Sequence, residues 1–137
     1  MLETDMLYAY VKEEDWLKPT AKNLFSKIVK GNYGTVYASR ESLHEIYYVS
    51  QEEGVSIDEI VARGATLTAI ENLVFLDTTY LIDLLALTLL KQYRFTSIFD
   101  AYYAATALNQ VEDHTIISTD KVFDCLPGIK RIDPRKI

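Results

Sequence analysis

Two stretches decide how this chain reads: Thr96-Ser97-Ile98-Phe99-Asp100-Ala101-Tyr102-Tyr103-Ala104-Ala105-Thr106-Ala107, and Thr115-Ile116-Ile117-Ser118-Thr119-Asp120-Lys121-Val122-Phe123. The first places a carboxylate on the opening turn of an Ala-rich helix capped by Ser97. The second places one just past a β-branched run that reads as a buried strand. In an α/β sheet, strand ends and helix starts open onto one crevice, where ligands bind. Two acids facing one crevice suggest a site for a hard cation, with the remaining acids upstream.

Working outward, the same alternation continues. Met1 to Thr4 reads as a first strand, followed by the acidic turn Lys12-Glu13-Glu14-Asp15. A helix begins after Trp16, with Leu17, Ala21, Leu24, Phe25 and Ile28 at helical spacing, Pro19 in its first turn and Gly31 as its stop. Gly34 to Ala38 reads as a second strand. The following helix, Arg40 to Glu53, carries Leu43, Ile46 and Tyr47 as its apolar stripe, with Glu45 off that stripe. Ser56 and Glu59 form a capping box for another helix. Leu73 to Leu76 is a third strand, and Tyr80 to Tyr93 a helix apolar on nearly all sides, hence buried in the core or against another subunit. After the Ala-rich helix come a fourth strand at Thr115 to Ser118, a helical turn at Val122 to Leu126 and a last strand at Ile129 to Ile132. The expected fold is α/β: a three-layer sandwich with a mainly parallel central sheet of four or five strands, in one domain over 1–137.

Composition narrows the function. With 137 residues, 49% hydrophobic and 25% charged, the chain is an ordinary globular length and mix. The apolar run Leu81 to Leu90 is broken by Asp83 and too short to span a bilayer, so no membrane partner is expected. No basic-then-apolar leader opens the chain, so a cytoplasmic protein is expected. The lone Cys125 excludes an internal disulfide and reads as a buried structural thiol. A net charge of −6 argues against holding nucleic acid by bulk electrostatics. It does not argue against an enzyme whose clustered acids are neutralised by divalent cations.

Each acid has a plain reading. Asp100 serves equally well as a capping-box acid favoured by the helix dipole. Asp120 alone reads as a turn residue and Glu45 alone as a solvated one. Glu3 and Asp5 are less ordinary, since two acids two apart on a strand share a face and repel. Jointly the acids fall at one edge of a parallel sheet, where four or five carboxylates suit Mg²⁺ or Mn²⁺. His44 and His114 are isolated and make no zinc pattern, and there is no Gly-rich phosphate loop or Gly-x-Ser-x-Gly elbow.

These residues resemble a known pattern. Glu3-Thr4-Asp5 with the apolar run to Ala9, Ser39 followed by Glu45, Phe99-Asp100-Ala101 with Ala104 and Ala105, Ser118-Thr119-Asp120 with Phe123, and Pro134 together resemble the PIN domain, the nuclease fold of the VapC toxins in toxin–antitoxin pairs. The chain departs from the family at its start. In one register Glu3 replaces the family's first Asp; in the other Asp5 is that acid, but the following Thr is lost.

The resemblance implies a metal-dependent endoribonuclease in which Glu3, Asp5, Glu45, Asp100 and Asp120 are catalytic and hold Mg²⁺ or Mn²⁺. Thr4, Ser118 and Thr119 would hydrogen-bond those carboxylates or a metal-bound water. RNA is the implied substrate and a VapB-like antitoxin the implied partner. The Leu81 to Leu90 helix and the many Tyr residues point to a homodimer. Two alternatives stay open: a non-catalytic PIN-like binding or assembly domain, and, fitting least, a phospho-accepting regulatory domain, for which Lys121 and Lys130 are poor candidates for the required lysine.

Overall fold

The computed structural model describes residues 1–137. Short β-rich runs form its centre. β1 (Val36–Ser39) pairs in parallel with β2 (Leu73–Leu76), Ala38 opposite Phe75. β3 (Thr115–Ile117) pairs in parallel with β4 (Lys130–Ile132), Ile117 opposite Ile132.

Between the pairs lies a single bridging residue, Leu2, parallel to both Ala38 and Ile117. Its N–H donates to Tyr37 O at 2.7 Å, Ile117 N–H donates to Met1 O at 2.8 Å, and Glu3 N–H donates to Ile117 O at 3.0 Å. The first strand expected over Met1 to Thr4 is therefore one residue deep. Two strand pairs joined at Leu2 replace the continuous four- or five-stranded sheet. The physical reason is local: Thr4 already begins helix α1 (Thr4–Val11), and Glu3 is its extended N-cap, so no residues are left to lengthen the ladder.

The strands separate two apolar cores, as the two-residue period of a pleat requires. Val36 and Ala38 join Leu2, Met6, Leu7, Phe25, Ile46 and Leu67 in one core, while Tyr37 and Ile116 turn to the other, around Ile82, Ala86, Tyr103 and Phe123. The first core packs α1, α2 (Lys18–Val29), α3 (Glu41–Glu52) and α4 (Ile57–Thr68); the second packs α5 (Tyr80–Tyr93) and α6 (Ile98–Gln110).

Helix starts follow their caps. Ser56 Oγ accepts from Glu59 N–H at 3.2 Å, and Ser97 Oγ accepts from Phe99 N–H at 3.1 Å. Leu17, Ala21, Leu24, Phe25 and Ile28 are all buried, and α2 stops near Gly31, whose φ of +80° suits glycine.

Two expectations fail, and a third, burial of the long apolar helix, is not met within the chain itself. Tyr47 lies exposed, because Ser42, Ile46 and Ser50 take the buried stripe of α3. Helix α5 buries only Ile82, Ala86 and Leu89; Leu81, Leu84 and Leu87 stand more than half exposed along one face, since α6 covers only the other. Cys125 is exposed, because Phe123 and Leu126 occupy the core positions around its 3₁₀ turn, Lys121–Cys125. No helix is long and apolar enough to cross a membrane.

Candidate metal centre

The start of α1, the first half of α3, the first turn of α6 and the loop after β3 meet where Leu2 ties the strand pairs together. Glu3, 7% exposed, is carried there by the extended residue before α1. Its Oε2 accepts from Ser118 Oγ at 3.1 Å. Asp5 sits in the first turn of α1, so the shared-strand-face argument for Glu3 and Asp5 does not apply. The two carboxyls meet nonetheless, and a hydrogen bond between them lowers the pKa of Asp5. Asp5 Oδ2 accepts from Thr119 N–H and Thr119 Oγ1, each at 2.7 Å, and its Oδ1 accepts from Met6 N–H at 2.7 Å. These bonds fasten the loop after β3 to the N-terminus of α1.

A relay of hydroxyls serves the other side. Thr4 Oγ1 lies 2.6 Å from Tyr103 Oη and 3.0 Å from Ser42 Oγ, and Tyr103 Oη donates to Glu45 Oε1 at 2.8 Å. Tyrosine has one proton and spends it on Glu45, so Thr4 donates to Tyr103 and accepts from Ser42. The direction is Ser42 to Thr4 to Tyr103 to Glu45. Tyr103 and Ser42 were not singled out from sequence. One signal for Tyr103 was available: it stands three residues after Asp100, on the same face of a helix.

Asp100 is 9% exposed. Ser97 alone caps α6, so the capping-box reading of Asp100 fails, and no hydrogen bond offsets its burial. Asp120 is exposed; its Oδ1 accepts from Val122 N–H at 2.9 Å, the turn-capping role of its plain reading.

The electrostatics tie these groups together. Burial raises Glu3 well above the carboxylate range, and the charges of Asp5, Glu45 and Asp100 raise it further, against the Ser118 hydrogen bond. Burial also raises Asp5, against its bonds to Thr119, Met6 and Glu3. Asp100 is pushed up to about 7 by burial, then by the charges of Asp120 and Glu45. Burial and the Glu45 charge raise Tyr103 as well. Burial leads every one of these shifts, and at Glu3 and Asp100 the neighbouring carboxylates add to it, with no protein cation among the causes. Arg135 is the cation that feels Asp5, and it is already fastened to Asp133.

The structure thus brings Asp5, Glu45 and Asp100 within electrostatic reach of Glu3, and Asp120 within reach of Asp100; Ser118 and Thr119 hydrogen-bond to Glu3 and Asp5, whereas Thr4 bonds to Tyr103 and Ser42 and to none of the acids. It does not bring any three His, Cys, Asp or Glu side chains into a group able to hold a metal ion. Glu3 and Asp5 are turned onto Ser118 and Thr119, and Glu45 onto Tyr103. The donor chemistry nonetheless fits a hard cation: every candidate ligand is a carboxylate oxygen, and the crowded charge is uncompensated. His44 stays outside, paired with Glu41 at 2.9 Å. Chemically, the arrangement gathers carboxylate oxygens without a protein cation among them and holds a proton at Asp100 near neutral pH.

A family model described as the PIN domain matches residues 1–128. No curated protein matches the chain.

Proposed function

The chain belongs to the PIN domain family, and from that premise we propose that it is a metal-dependent endoribonuclease of the VapC type, acting as one domain over 1–137. The observation that carries the reading is the gathering of Glu3 and Asp100, both buried, and half-buried Asp5, each with raised pKa and no protein cation to balance them. Such crowding costs stability, and a ligand of opposite charge offsets the cost.

Glu3, Asp5, Glu45, Asp100 and Asp120 are the residues that would hold Mg²⁺ or Mn²⁺, and the cation would supply charge to neutralise the phosphodiester and to acidify water. The protein's own groups set the geometry. Ser118 holds Glu3 and takes up the extra reach of Glu against the family's Asp. Thr119 fixes Asp5 through two bonds, and Tyr103, itself held by Thr4, orients Glu45. Hydrolysis adds water across one phosphodiester bond: a P–O bond forms and another breaks, and the leaving oxygen gains the proton that water loses.

The same reading includes a VapB-like antitoxin as partner, a cytoplasmic setting and a homodimer. The dimer is supported by the exposed apolar face of α5, Leu81, Leu84 and Leu87. Equilibrium sedimentation at micromolar concentration tests it, and monomer alone would refute it.

A second reading, a PIN-like binding domain without catalysis, is favoured by one observation: no three ligands are gathered for a metal. One experiment separates the two. A panel of mixed RNAs is incubated with the protein in Mn²⁺, in Mg²⁺ and in EDTA. Cleavage that requires the metal supports the nuclease; intact RNA in all three supports the binding domain.

A further inference from the structure

Just before α2 stands the chain's single tryptophan. Trp16 is 71% exposed, an unusual outlay of aromatic surface to water, and it follows Asp15, whose Oδ1 accepts from Leu17 N–H at 2.8 Å. The indole is therefore presented on a turn fixed at the start of α2. Over its ring, at 5.7 Å from the centroid, lies the guanidinium of Arg135. Arg135 belongs to the turn Pro134–Lys136, which packs against α2.

We infer that Trp16 and Arg135 together hold single-stranded RNA at the site, the indole stacking on a nucleobase and the guanidinium binding a backbone phosphate beside the acids. The inference rests on the nuclease reading above and adds to it the elements that seat the substrate.

Three observations carry it. First, Arg135 is pre-positioned: its Nε and Nη2 donate to Asp133 at 2.9 and 2.5 Å. A guanidinium has five N–H donors, so three remain for a phosphate. Second, Arg135 is tied to the loop of the acid cluster: Asp133, which it clamps, lies 3.9 Å from Arg131 Nη1, and that nitrogen donates to Ser118 O at 2.9 Å, so a phosphate bound at Arg135 lies near the loop that holds Glu3. Third, the indole stays accessible: it lines an open cleft in which Glu13 and Glu14 are matched by Lys18 and Lys22, so the charge there does not bar a nucleotide strand and the exposed π-face can take a flat group. An aromatic platform beside a cation is how proteins hold single strands, since every base has a π-face to stack. A duplex keeps its bases stacked on each other and offers none.

With one tryptophan, indole emission reports on this contact alone. The Asp100→Asn protein, which leaves RNA intact under the reading above, is titrated in Mn²⁺ with an unlabelled mixed-sequence single strand while indole emission is followed. Polarisation of a fluorescein-labelled copy of the strand measures binding separately. The expected result is quenching that saturates with the polarisation signal and is absent with the duplex. Trp16→Ala should weaken binding about tenfold and Trp16→Phe by less than about threefold, since Phe retains a stacking face. Arg135→Gln should weaken binding and flatten its salt dependence. Trp16 is exposed, so the variants should melt like the parent.

RNA that binds by polarisation without changing the indole, and binds Trp16→Ala equally well, overturns the inference and leaves the nuclease reading standing. Equal quenching by the duplex overturns it as well. Absence of binding, together with absence of cleavage by the unmodified protein, overturns the nuclease reading and the inference with it.

Discussion

Carboxylates meet two opposite fates in this molecule. At the C-terminal end, Asp124 and Asp133 are held by arginines: Arg131 Nε and Nη2 donate to Asp124 at 2.8 and 3.0 Å, Arg135 clamps Asp133, and both acids titrate below their ordinary range. Around Leu2, Glu3 and Asp100 are buried and Asp5 half-buried, and all three titrate above it. The C-terminal acids have their counter-charge built into the chain. Those around Leu2 receive only hydroxyls and backbone amides, which orient a carboxylate without neutralising it. A fold that supplies cations to one set of acids and withholds them from another leaves the second set open to a cation from outside. The two regions touch, since Arg131 Nη1 also donates to Ser118 O at 2.9 Å, so the neutralised end braces the loop of the charged one.

The hardest test of the contrast is Asp100→Asn. Asn keeps the volume and removes the charge, so cleavage in Mn²⁺ should fall by at least about 100-fold, the upper end of what indirect support of a metal is worth. The melt in EDTA should hold or rise, because a repelling charge has left. Cleavage at the parental rate would remove Asp100 from the site. Next in size is the response to metal. At a Mn²⁺ concentration of about 100 times Kd, stability should rise by about 2.7 kcal/mol, on the order of 10 °C for a chain of this length. Melts that coincide in Mn²⁺ and EDTA would mean that the acids do not gather on a cation.

The effect of pH comes third. Asp100 goes from an ordinary value of 3.8 to about 7 on folding, so between these the folded state holds the extra proton. Its contribution is complete below about pH 4 and is lost as pH rises through about 7; Glu3 shifts in the same direction. Without metal the melting midpoint should therefore fall from pH 5.5 to pH 8, and saturating Mn²⁺ should flatten that fall. A midpoint that rises over this interval in EDTA would show that the acids are compensated. Smaller still is Tyr103→Phe, which strips one buried hydroxyl from the relay and leaves Thr4 and Glu45 each short of a partner. The loss should be about 1–2 kcal/mol of stability, with weaker Mn²⁺ stabilisation. Asp124→Asn should do least: a midpoint within a degree or two of the parent and an unchanged Mn²⁺ response, as befits an exposed ion pair.

What was legible in the sequence follows from how each feature is encoded. The bounds of β2 and α5 match the pattern residue for residue, and Ser56 and Ser97 cap as their spacing indicates, because these are local properties. The first strand was not legible in the same way. A strand one residue deep has no alternation, and Glu3-Thr4-Asp5 carries the same letters whether it continues a strand or turns into a helix. The candidate acids were visible through their joint spacing and their resemblance to a family. Their settings were not: the Ser42–Thr4–Tyr103–Glu45 relay links residues far apart in the chain, and hydroxyls of that kind are common everywhere. Cys125 was misread for a related reason, since burial of a small thiol in a short turn depends on which neighbour, here Phe123, wins the core.

Leu2 has a further consequence, for the order in which the molecule is made. Its partners on one side lie in β1, but on the other Ile117 donates its N–H to Met1 O, more than a hundred residues later in synthesis. A ribosome adds roughly 5–20 residues per second, so residues 1 to 5 wait several seconds for the strand that completes their setting. Through that interval Glu3 and Asp5 are separated from Ser118, Thr119 and Asp120. The nascent chain has no acid cluster, and the site comes into being only as the last strand pair docks beside Leu2.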